Sequence, residues 1–331
     1  MSFTNTFDTT NTGSAVSNRE DLTDVLTILA PEETPILSSA DKKKASSTFV
    51  EWTVDSLAAP STTGISEGAD VTAFTDQFAG RAKLGNRVQK FRRDYMVSDM
   101  QEAVDSVGPA KIAQAEAKAI RELKRDIEAT LASANAQATE NGAGTANSLG
   151  GLGDWIQAGA GSANVPAAFQ TPSASVVDAG ATLSESEFNG LITSIFGVTG
   201  STNNLMLVAD TTLRSDISDF ARTTASATDN VRSVNYDGNS GEIKLSVDLY
   251  QSDHGIVSIV NGNPDCMPTQ AGTAGMMGYL VNPEYYGVHE LIPMGSTRLP
   301  NLGGGERGFV DCALTLGVYH PGAHGKIVDP A

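Results

Sequence analysis

The sequence predicts an α+β fold, because strand-like and helix-like patterns occupy separate stretches of the chain. Val50, Trp52 and Val54 alternate with polar residues, which is the period of a half-buried β-strand. Residues 109–136 are dense in Ala, Glu, Lys, Arg and Leu, which are strong helix formers, and they carry a narrow apolar stripe. Three strand-like runs close the chain, "MMGYLV", "YYGVHELI" and "FVDCALTLGVY". We therefore expect one long helix, with strands contributed by the first and last thirds of the chain.

The composition limits the class of protein. The 331 residues are enough for one large domain or two ordinary ones. The formal net charge of -17 repels phosphate, so tight general binding of nucleic acid is not expected. Cys266 and Cys312 have neither metal-site spacing nor a disulfide framework, which favours a reducing cytoplasm. The sequence shows no signal-peptide pattern and no stretch apolar enough to span a bilayer, so we expect a soluble intracellular protein.

The first predicted element is a short helix that follows a polar N-terminal tail. Residues 1–17 are rich in Thr and Asn, and Asn18 has the side chain of an N-cap. Apolar residues then recur at helical spacing, namely Leu22, Val25, Leu26 and Leu29. Pro31 ends this helix, and a second short turn begins at Thr34 and Pro35. A short helix with a single apolar stripe must dock on another surface.

A long two-stranded ribbon is predicted next. The alternating strand at residues 50–54 is followed by a stretch rich in Gly, Ser and Thr at 58–80, and then by a second strand-like run at 81–97. Together they indicate an extended hairpin with a wide tip, reaching roughly 40 Å at about 3.3 Å per residue. An isolated ribbon of two strands is barely stable in water, so this one needs a partner surface.

The middle of the chain predicts a long helix, an irregular connection and a mixed α/β block. The helix opens at Gly108 and Pro109. Residues 141–182, which are rich in Gly, Ala and Ser and contain the lone island "GLGDWIQ", are expected to form an irregular connection. Ser184 and Glu187 fit a capping box for the next helix. A buried strand "NLMLVAD", a helix capped by Asp210 and a hairpin from alternating residues 243–249 to "IVSIV" follow.

Residues with catalytic chemistry form no recognisable site. No phosphate-binding loop and no serine-hydrolase elbow occur, and "GGGERG" at 303–308 reads as a flexible turn. The histidines are expected to be solvated loop residues: His254, His289, His320 and His324. Cys312 lies in an alternating strand, where a buried structural thiol is expected. We predict no catalytic, cofactor-binding or metal-binding residues and no enzyme. A cryptic hydrolase is the competing class, and a surface adhesin would require a secretion signal.

Basic residues cluster on the second ribbon strand. They are Arg81, Lys83, Arg87, Lys90, Arg92 and Arg93, preceded by Lys42, Lys43 and Lys44. One interpretation is contact with nucleic acid, and the other is contact with acidic surface on neighbouring copies of the same chain. The net charge of -17 favours the second, because a basic projection complements an acidic body. A solvated face remains open for the lysines.

Both ends of the chain resemble a known family. "NREDLTDVLTILAPEETPILSSADKKKASSTFVEWTVDSLAAPS" resembles the opening of the SU-ten-like major head proteins of tailed bacteriophages. The matching residues are Pro31, Thr34, Pro35, Leu37, Ser38, Ser39, Glu51, Trp52, Asp55, Ser56 and Leu57. The ending "GERGFVDCALTLGVYHPGAHGKI" is similar to that family's closing strand and tail, with His320 where Asn is commoner.

The resemblance implies the Hong Kong 97-type capsid fold and its domains. It places an N-terminal arm at 1–45, an extended loop at 46–97, and a peripheral domain at 98–183 with a spine helix at 109–138. An axial domain follows at 184–290, and the closing strands at 291–331 return to the peripheral domain. The arm and ribbon would then obtain from other subunits the core that they lack.

The implied function is that of a major capsid protein, which self-assembles into the icosahedral head of a tailed phage and encloses double-stranded DNA. The alternative is a bacterial nanocompartment shell, encapsulin-like, of the same fold. The implied partners are copies of itself in hexamers and pentamers, with decoration, scaffolding and portal proteins as further candidates, only loose contact with DNA and no membrane. Localisation in the virion after assembly in the host cytoplasm is expected. The residues proposed for inter-subunit contact are Leu22, Leu26, Trp52, Arg81, Arg87, Arg92 and Arg93.

Overall fold

The computed structural model describes residues 33–74, 76–104, 111–158, 165–180, 182–220, 247–267 and 276–328. The helices are α1 (Pro35–Ser39), α2 (Asp99–Ala103), α3 (Lys111–Ala132), α4 (Leu152–Trp155), α5 (Glu185–Thr199) and α6 (Thr211–Phe220). The strands of the first half are β1 (Asp41–Lys44), β2 (Phe49–Val54), β3 (Ala82–Arg87), β4 (Gln89–Val97) and β5 (Val176–Asp178). Those of the second half are β6 (Leu205–Ala209), β7 (Leu249–Ser252), β8 (Gly255–Asn261), β9 (Met276–Val281), β10 (Tyr286–Leu299), β11 (Glu306–Val318) and β12 (Gly325–Val328).

The long helix packs on a sheet with the strand order β1-β10-β11-β4. Its buried face carries Ala119, Leu123, Ile127 and Leu131, which confirms the predicted stripe. The helix ends at Ala132, and the longer extent of the prediction, to residue 136 or 138, is wrong. The carbonyl of Ser133 accepts the N–H of Gly153 at 3.0 Å, so tertiary hydrogen bonds replace those of a further helical turn.

A second sheet has the order β5-β12-β9-β6-β8-β7 and packs on α5 and α6. Its core contains Phe188, Leu191 and Ile195 from α5 with Leu213 and Ile217 from α6. The capping box of α5 forms as predicted, with reciprocal hydrogen bonds between Ser184 and Glu187. The predicted strand of "NLMLVAD" and the helix after Asp210 are confirmed by β6 and α6. The hairpin that returns through "IVSIV" is the antiparallel pair β7–β8, but its first strand is Leu249–Ser252 instead of 243–249, and residues 243–246 lie outside the described residues.

The ribbon is shorter than predicted, because the second strand-like run is two strands. Only β3 pairs with β2, and β4 pairs with β11 in the first sheet. The break lies at Val88, beside Asn86, whose buried side chain donates to the carbonyls of Gly150 at 3.0 Å and Leu316 at 2.8 Å. Phe91 and Tyr95 then alternate inward into the core. The expectation that residues 81–97 project as one strand is therefore wrong.

The island "GLGDWIQ" belongs to the core rather than to an irregular connection. Leu152, Trp155 and Ile156 are buried in the same cluster as Leu123 and Ile127 of α3. A strand, β5, also lies within the stretch expected to be irregular, and it pairs parallel to β12. The abundance of Gly and Ala in 141–182 concealed this order, because small residues allow close backbone packing while they weaken the periodic signal. The predicted arm helix with Leu22 and Leu26 lies outside the described residues.

Candidate inter-subunit surface

The loop between β2 and β3 exposes apolar side chains that its own chain does not cover. Every described residue from 55 to 80 is exposed. Five of them are large and apolar: Leu57, Ile65, Val71, Phe74 and Phe78. Phe74 is 92% exposed and Ile65 is 88% exposed. So much apolar surface on one loop indicates an interaction site.

The base of this loop is held by charge. Arg81 donates from Nε to Asp55 at 2.8 Å, and its guanidinium lies 4.0 Å from the centre of the Phe78 ring. Gly80 lies against Ser56, where an added Cβ would approach the hydroxyl to 2.7 Å. These contacts close the ribbon beyond the last paired residues, so the loop starts from a defined position. Arg81, one of the residues proposed for contact between subunits, is engaged within its own chain.

Trp52 joins the ribbon to the body of its own chain. Its ring centre lies 5.6 Å from that of Trp155 and 6.0 Å from that of Tyr319, and it packs against the main core. An aromatic pair at this spacing adds to the free energy gained by burial. The placement gives Trp52 an intramolecular packing role, and its contact with a neighbouring subunit stays a prediction.

The remaining arginines of the predicted set also have partners in their own chain. Arg87 lies over the Phe49 ring at 5.1 Å. Arg93 donates to both carboxylate oxygens of Asp126 on α3, at 2.5 and 2.7 Å, and these bonds hold the pKa of Arg93 above its ordinary value. The side chain of Arg93 is nevertheless 45% exposed, so the pair is open to solvent. Their contact with other subunits stays a prediction.

Arg92 borders an open groove at the end of the first sheet. The groove has a volume of about 510 Å³, and its floor includes Met96, Leu299 and Phe309. Arg307 forms a second basic border, and it lies directly opposite Met96 in the β4–β11 register. We call this surface the arginine-rimmed groove. Sequence reasoning missed it, although the exposed Met96 in a strand that alternates inward at Phe91 and Tyr95 is a usable signal.

A buried carboxylate fixes the segment that leads into the ribbon. Glu128 of α3 accepts the N–H of Ile36 at 2.8 Å and that of Leu37 at 2.9 Å. Burial raises the pKa of Glu128 to about 7, against the opposing effect of these two hydrogen bonds. The short turn predicted to start at Thr34 and Pro35 is the helix α1, which begins at Pro35. The partner of its N-terminus lies 92 residues away and was not foreseen.

Three histidines are not the solvated loop residues that were expected. His320 is half-buried, and burial lowers its pKa. His324 is fully buried, its Nδ1 accepts the N–H of Asn282 at 3.1 Å, and burial lowers its pKa to about 4. His289 lies within β10 and contacts the Tyr319 hydroxyl at 3.1 Å. The surroundings of His289 and His324 are formed by strands that are far apart in the sequence, so a local sequence pattern does not reveal them. Cys312 is buried, as predicted.

The part of the chain that the structure describes gives no sign of a metal centre or a membrane span. No group of three or more His, Cys, Asp or Glu among these residues has the arrangement of a metal site. None of the described helices combines the length and apolar character needed to cross a bilayer.

Comparison with known families decides the assignment. A model of the family described as SU10 major capsid protein matches residues 3–331. The chain belongs to the SU10 major capsid protein family. No individual curated protein matches the sequence.

Solved structures similar to this SU10-family chain are phage capsids. The capsid of cyanophage P-SCSP1u superposes with a TM-score of 0.62 at 11% identity, covering 95% of this chain and 93% of that chain. The capsid of a native GTA particle gives 0.60 at 13% identity, with 97% of each chain covered. The mature capsid of bacteriophage PhiM1 gives 0.56 at 13% identity, with 94% and 90% covered. These matches establish the Hong Kong 97-like fold.

The family assignment also gives the general role of the chain. It is a major capsid protein, a structural component of a phage head shell, and it belongs in the virion. The major capsid protein family is a structural family and not an enzyme class. Membership of this family implies self-assembly into an oligomeric shell. The nanocompartment alternative is not favoured by these comparisons.

Proposed function

We propose that this SU10-family protein assembles through hexamers and pentamers into a closed icosahedral head that encloses the double-stranded DNA of a tailed bacteriophage. The observation that carries the proposal is the loop of residues 55–80, whose described residues are all exposed and include five large apolar side chains. In a single chain this surface is in contact with water, at a cost of about 25 cal/mol for each Å² of apolar area. Contact with another copy would remove that cost.

The domain roles form part of the proposal. The arm is residues 1–45, the extended loop starts at 46, the peripheral domain contains α3 as the spine helix, and the axial domain is 184–290. We assign β4 to the peripheral domain rather than to the loop, because it pairs with β11. Of the closing residues 291–331, β11 and the end of β10 complete the peripheral sheet, whereas β12 pairs with β5 and β9 in the second sheet.

The negative net charge of the chain is compatible with a shell that encloses DNA. A net charge of -17 repels phosphate, so the shell would enclose the duplex with only loose contact. Assembly in the host cytoplasm is part of the same proposal, and decoration, scaffolding and portal proteins are proposed further partners.

Electron microscopy of the purified chain tests the proposal. We expect uniform closed particles or capsomers as protein concentration rises. A variant in which residues 57–78 are replaced by a short Gly-Ser linker keeps the Arg81–Asp55 contact at the base, and we expect it to fold and remain monomeric. Monomers alone from the unaltered chain at high concentration would overturn the proposal. Equal particles from both chains would show that the loop does not drive assembly.

A further inference from the structure

Three Asn-Gly pairs occur in the chain, at Asn141–Gly142, Asn189–Gly190 and Asn261–Gly262. In such a pair the backbone nitrogen of the glycine can attack the side-chain carboxamide of the asparagine. The attack closes a five-membered ring within one chain, and glycine has no Cβ to obstruct it. The sequence alone does not distinguish the three pairs, but the hydrogen bonds of the fold do.

The fold protects the pair at Asn189. This residue lies within α5, where the helical hydrogen-bonding pattern engages the N–H of Gly190. The Oδ1 atom of Asn189 also accepts a hydrogen bond from the hydroxyl of Tyr250 at 3.0 Å. The carboxamide is therefore held by another element, and the nitrogen that would attack it is already a donor.

The pair at Asn261 is protected in a similar way. The N–H of Gly262 donates to the carbonyl of Ala209 at 2.8 Å, and Oδ1 of Asn261 accepts from Arg214 at 2.7 Å. An added Cβ at Gly262 would lie 3.0 Å from the side chain of Met267, so the backbone is closely packed there. Ring closure would break both hydrogen bonds and displace a packed segment.

Asn141 and Gly142 instead lie in an exposed turn. The turn is closed by Ala138 and Ser148, whose backbone groups exchange two hydrogen bonds of 3.1 Å. Gly142 has a φ of 68°, in the left-handed region, and an added Cβ would meet no atom within 4 Å. Within the described residues, the N–H of Gly142 makes no hydrogen bond. Its nitrogen is therefore accessible to solvent and to a base.

Two backbone donors hold the side chain of Asn141 over this turn. Its Oδ1 accepts the N–H of Ala143 at 2.9 Å and that of Thr145 at 3.2 Å. Attack on Cγ transfers negative charge to Oδ1, which is the atom that these donors contact. Preorganised N–H groups that stabilise such a charge lower the barrier of the reaction, as in an oxyanion hole.

We propose that Asn141 is a site of spontaneous deamidation, which the turn of residues 141–145 promotes. The nitrogen of Gly142 loses its proton to hydroxide and forms a bond to Cγ of Asn141. The Cγ–Nδ2 bond then breaks, and the amino group takes a proton from water and leaves as ammonia. In a second step water adds to one carbonyl of the succinimide and opens it to aspartate or isoaspartate. Each event adds one negative charge to a chain whose net charge is -17.

Peptide mapping of the unaltered chain tests this assignment. The chain is incubated at pH 6 and at pH 8, digested with pepsin at low pH, and analysed by mass spectrometry for the replacement of NH2 by OH. We expect conversion at Asn141 to be roughly tenfold or more faster than at Asn189 and Asn261, and faster at pH 8 than at pH 6. In the control Asn141→Gln the ring would need six members, so conversion at this position should disappear on the same time scale. Equal rates at the three asparagines would overturn the proposal.

Incubation of the same chain in urea separates the effect of the fold from that of the sequence. Unfolding removes the protection of Asn189 and Asn261, so we expect their rates to rise by roughly tenfold or more. Unfolding also removes the two donors to Asn141, so the rate at Asn141 should not rise. A parallel increase at all three residues would show that the fold protects Asn141 as well, and the proposal would be wrong.

A substitution at Thr145 tests the role of the backbone donors. Thr145→Pro removes one N–H that contacts Oδ1, whereas the matched control Thr145→Ala keeps it. We expect conversion at Asn141 to be roughly tenfold slower in the Pro variant than in the Ala variant. Equal rates would show that the donors do not promote the reaction. If the Pro variant fails to fold, the comparison of native and urea-treated chain still decides. These measurements use monomer or particles alike, so their outcome is independent of the proposed function.

Discussion

The carboxylate of Glu128 accepts the backbone N–H of Ile36 at 2.8 Å, across 92 residues of sequence. The bond ties the start of α1, and with it the approach to the ribbon, to the C-terminal part of the long helix α3. Glu128 is 2% exposed, and its surroundings raise its pKa to about 7. A group of this kind makes the stability of the chain depend on pH.

We expect the stabilising contribution of Glu128 to be complete below pH 4.5 and to be lost as the pH rises through about 7. The reason is that burial favours the protonated form, so the native state binds more protons than the unfolded state in this range. The difference amounts to about 3 kcal/mol of unfolding free energy. Denaturant unfolding of monomer from pH 4 to 8, compared with Glu128→Gln, measures it. The Gln variant loses one accepted hydrogen bond at all pH values, so the slope with pH is the informative quantity. Equal slopes for the two chains would contradict the prediction.

His324 should oppose this trend at lower pH. Its pKa is lowered to about 4 by burial, so its contribution to stability is present above pH 6.5 and is lost as the pH falls through about 4. We expect the imidazole of His324 to stay neutral down to about pH 5 in an NMR titration. Titration of His324 near pH 6.5 would show that its side chain is not buried in solution.

Substitutions at two aromatic residues should separate folding from assembly. Trp52→Ala removes the packing against Trp155 and Tyr319, and we expect it to lower the unfolding free energy by about 2 kcal/mol. Phe74→Ala removes an exposed ring, so we expect monomer stability to change by less than about 0.5 kcal/mol while assembly weakens. Urea unfolding of monomer and light scattering of assembly measure the two effects. A large loss of monomer stability in Phe74→Ala would show that the tip packs on its own chain.

The charge-reversing change at Arg87, Arg92 and Arg93 to Glu should abolish assembly, as the sequence first indicated. The structure adds that Arg93→Glu places a carboxylate beside Asp126, which disturbs the monomer as well. Adding Asp126→Arg should restore the monomer's thermal stability without restoring assembly, because it recreates only the pair within the chain. Normal shells from the triple variant would show that the charges of Arg87, Arg92 and Arg93 are incidental to assembly.

Local signals predicted some elements well. The Ser184–Glu187 capping box and the start of α1 at Pro35 depend on residues within one helical turn, so the sequence contains all the information they need. The stripe on α3 is similarly local, since it follows from helical spacing alone. The end of α3 is not determined locally, because the carbonyls of the residues after Ala132 accept hydrogen bonds from a distant part of the chain.

The groove and the buried acid could not be foreseen for the same reason. Met96 and Arg307 become neighbours through the pairing of β4 with β11, strands that are more than 200 residues apart. Residues 81–97 have one continuous strand pattern, and the sequence does not show that their two halves have different partners. The position of Glu128 against Ile36 is likewise set by tertiary packing, and helix propensity treats this Glu as an ordinary surface residue.

The division at Val88 has a mechanical consequence. A single residue separates β3, which carries the loop, from β4, which is built into the body, and the buried Asn86 anchors this junction to Gly150 and Leu316. The ribbon cannot swing freely there without breaking those hydrogen bonds. A force applied to the loop would therefore be transmitted through this junction to the first sheet and α3. Strain at a contact between two subunits would then reach the core of the subunit that carries the loop.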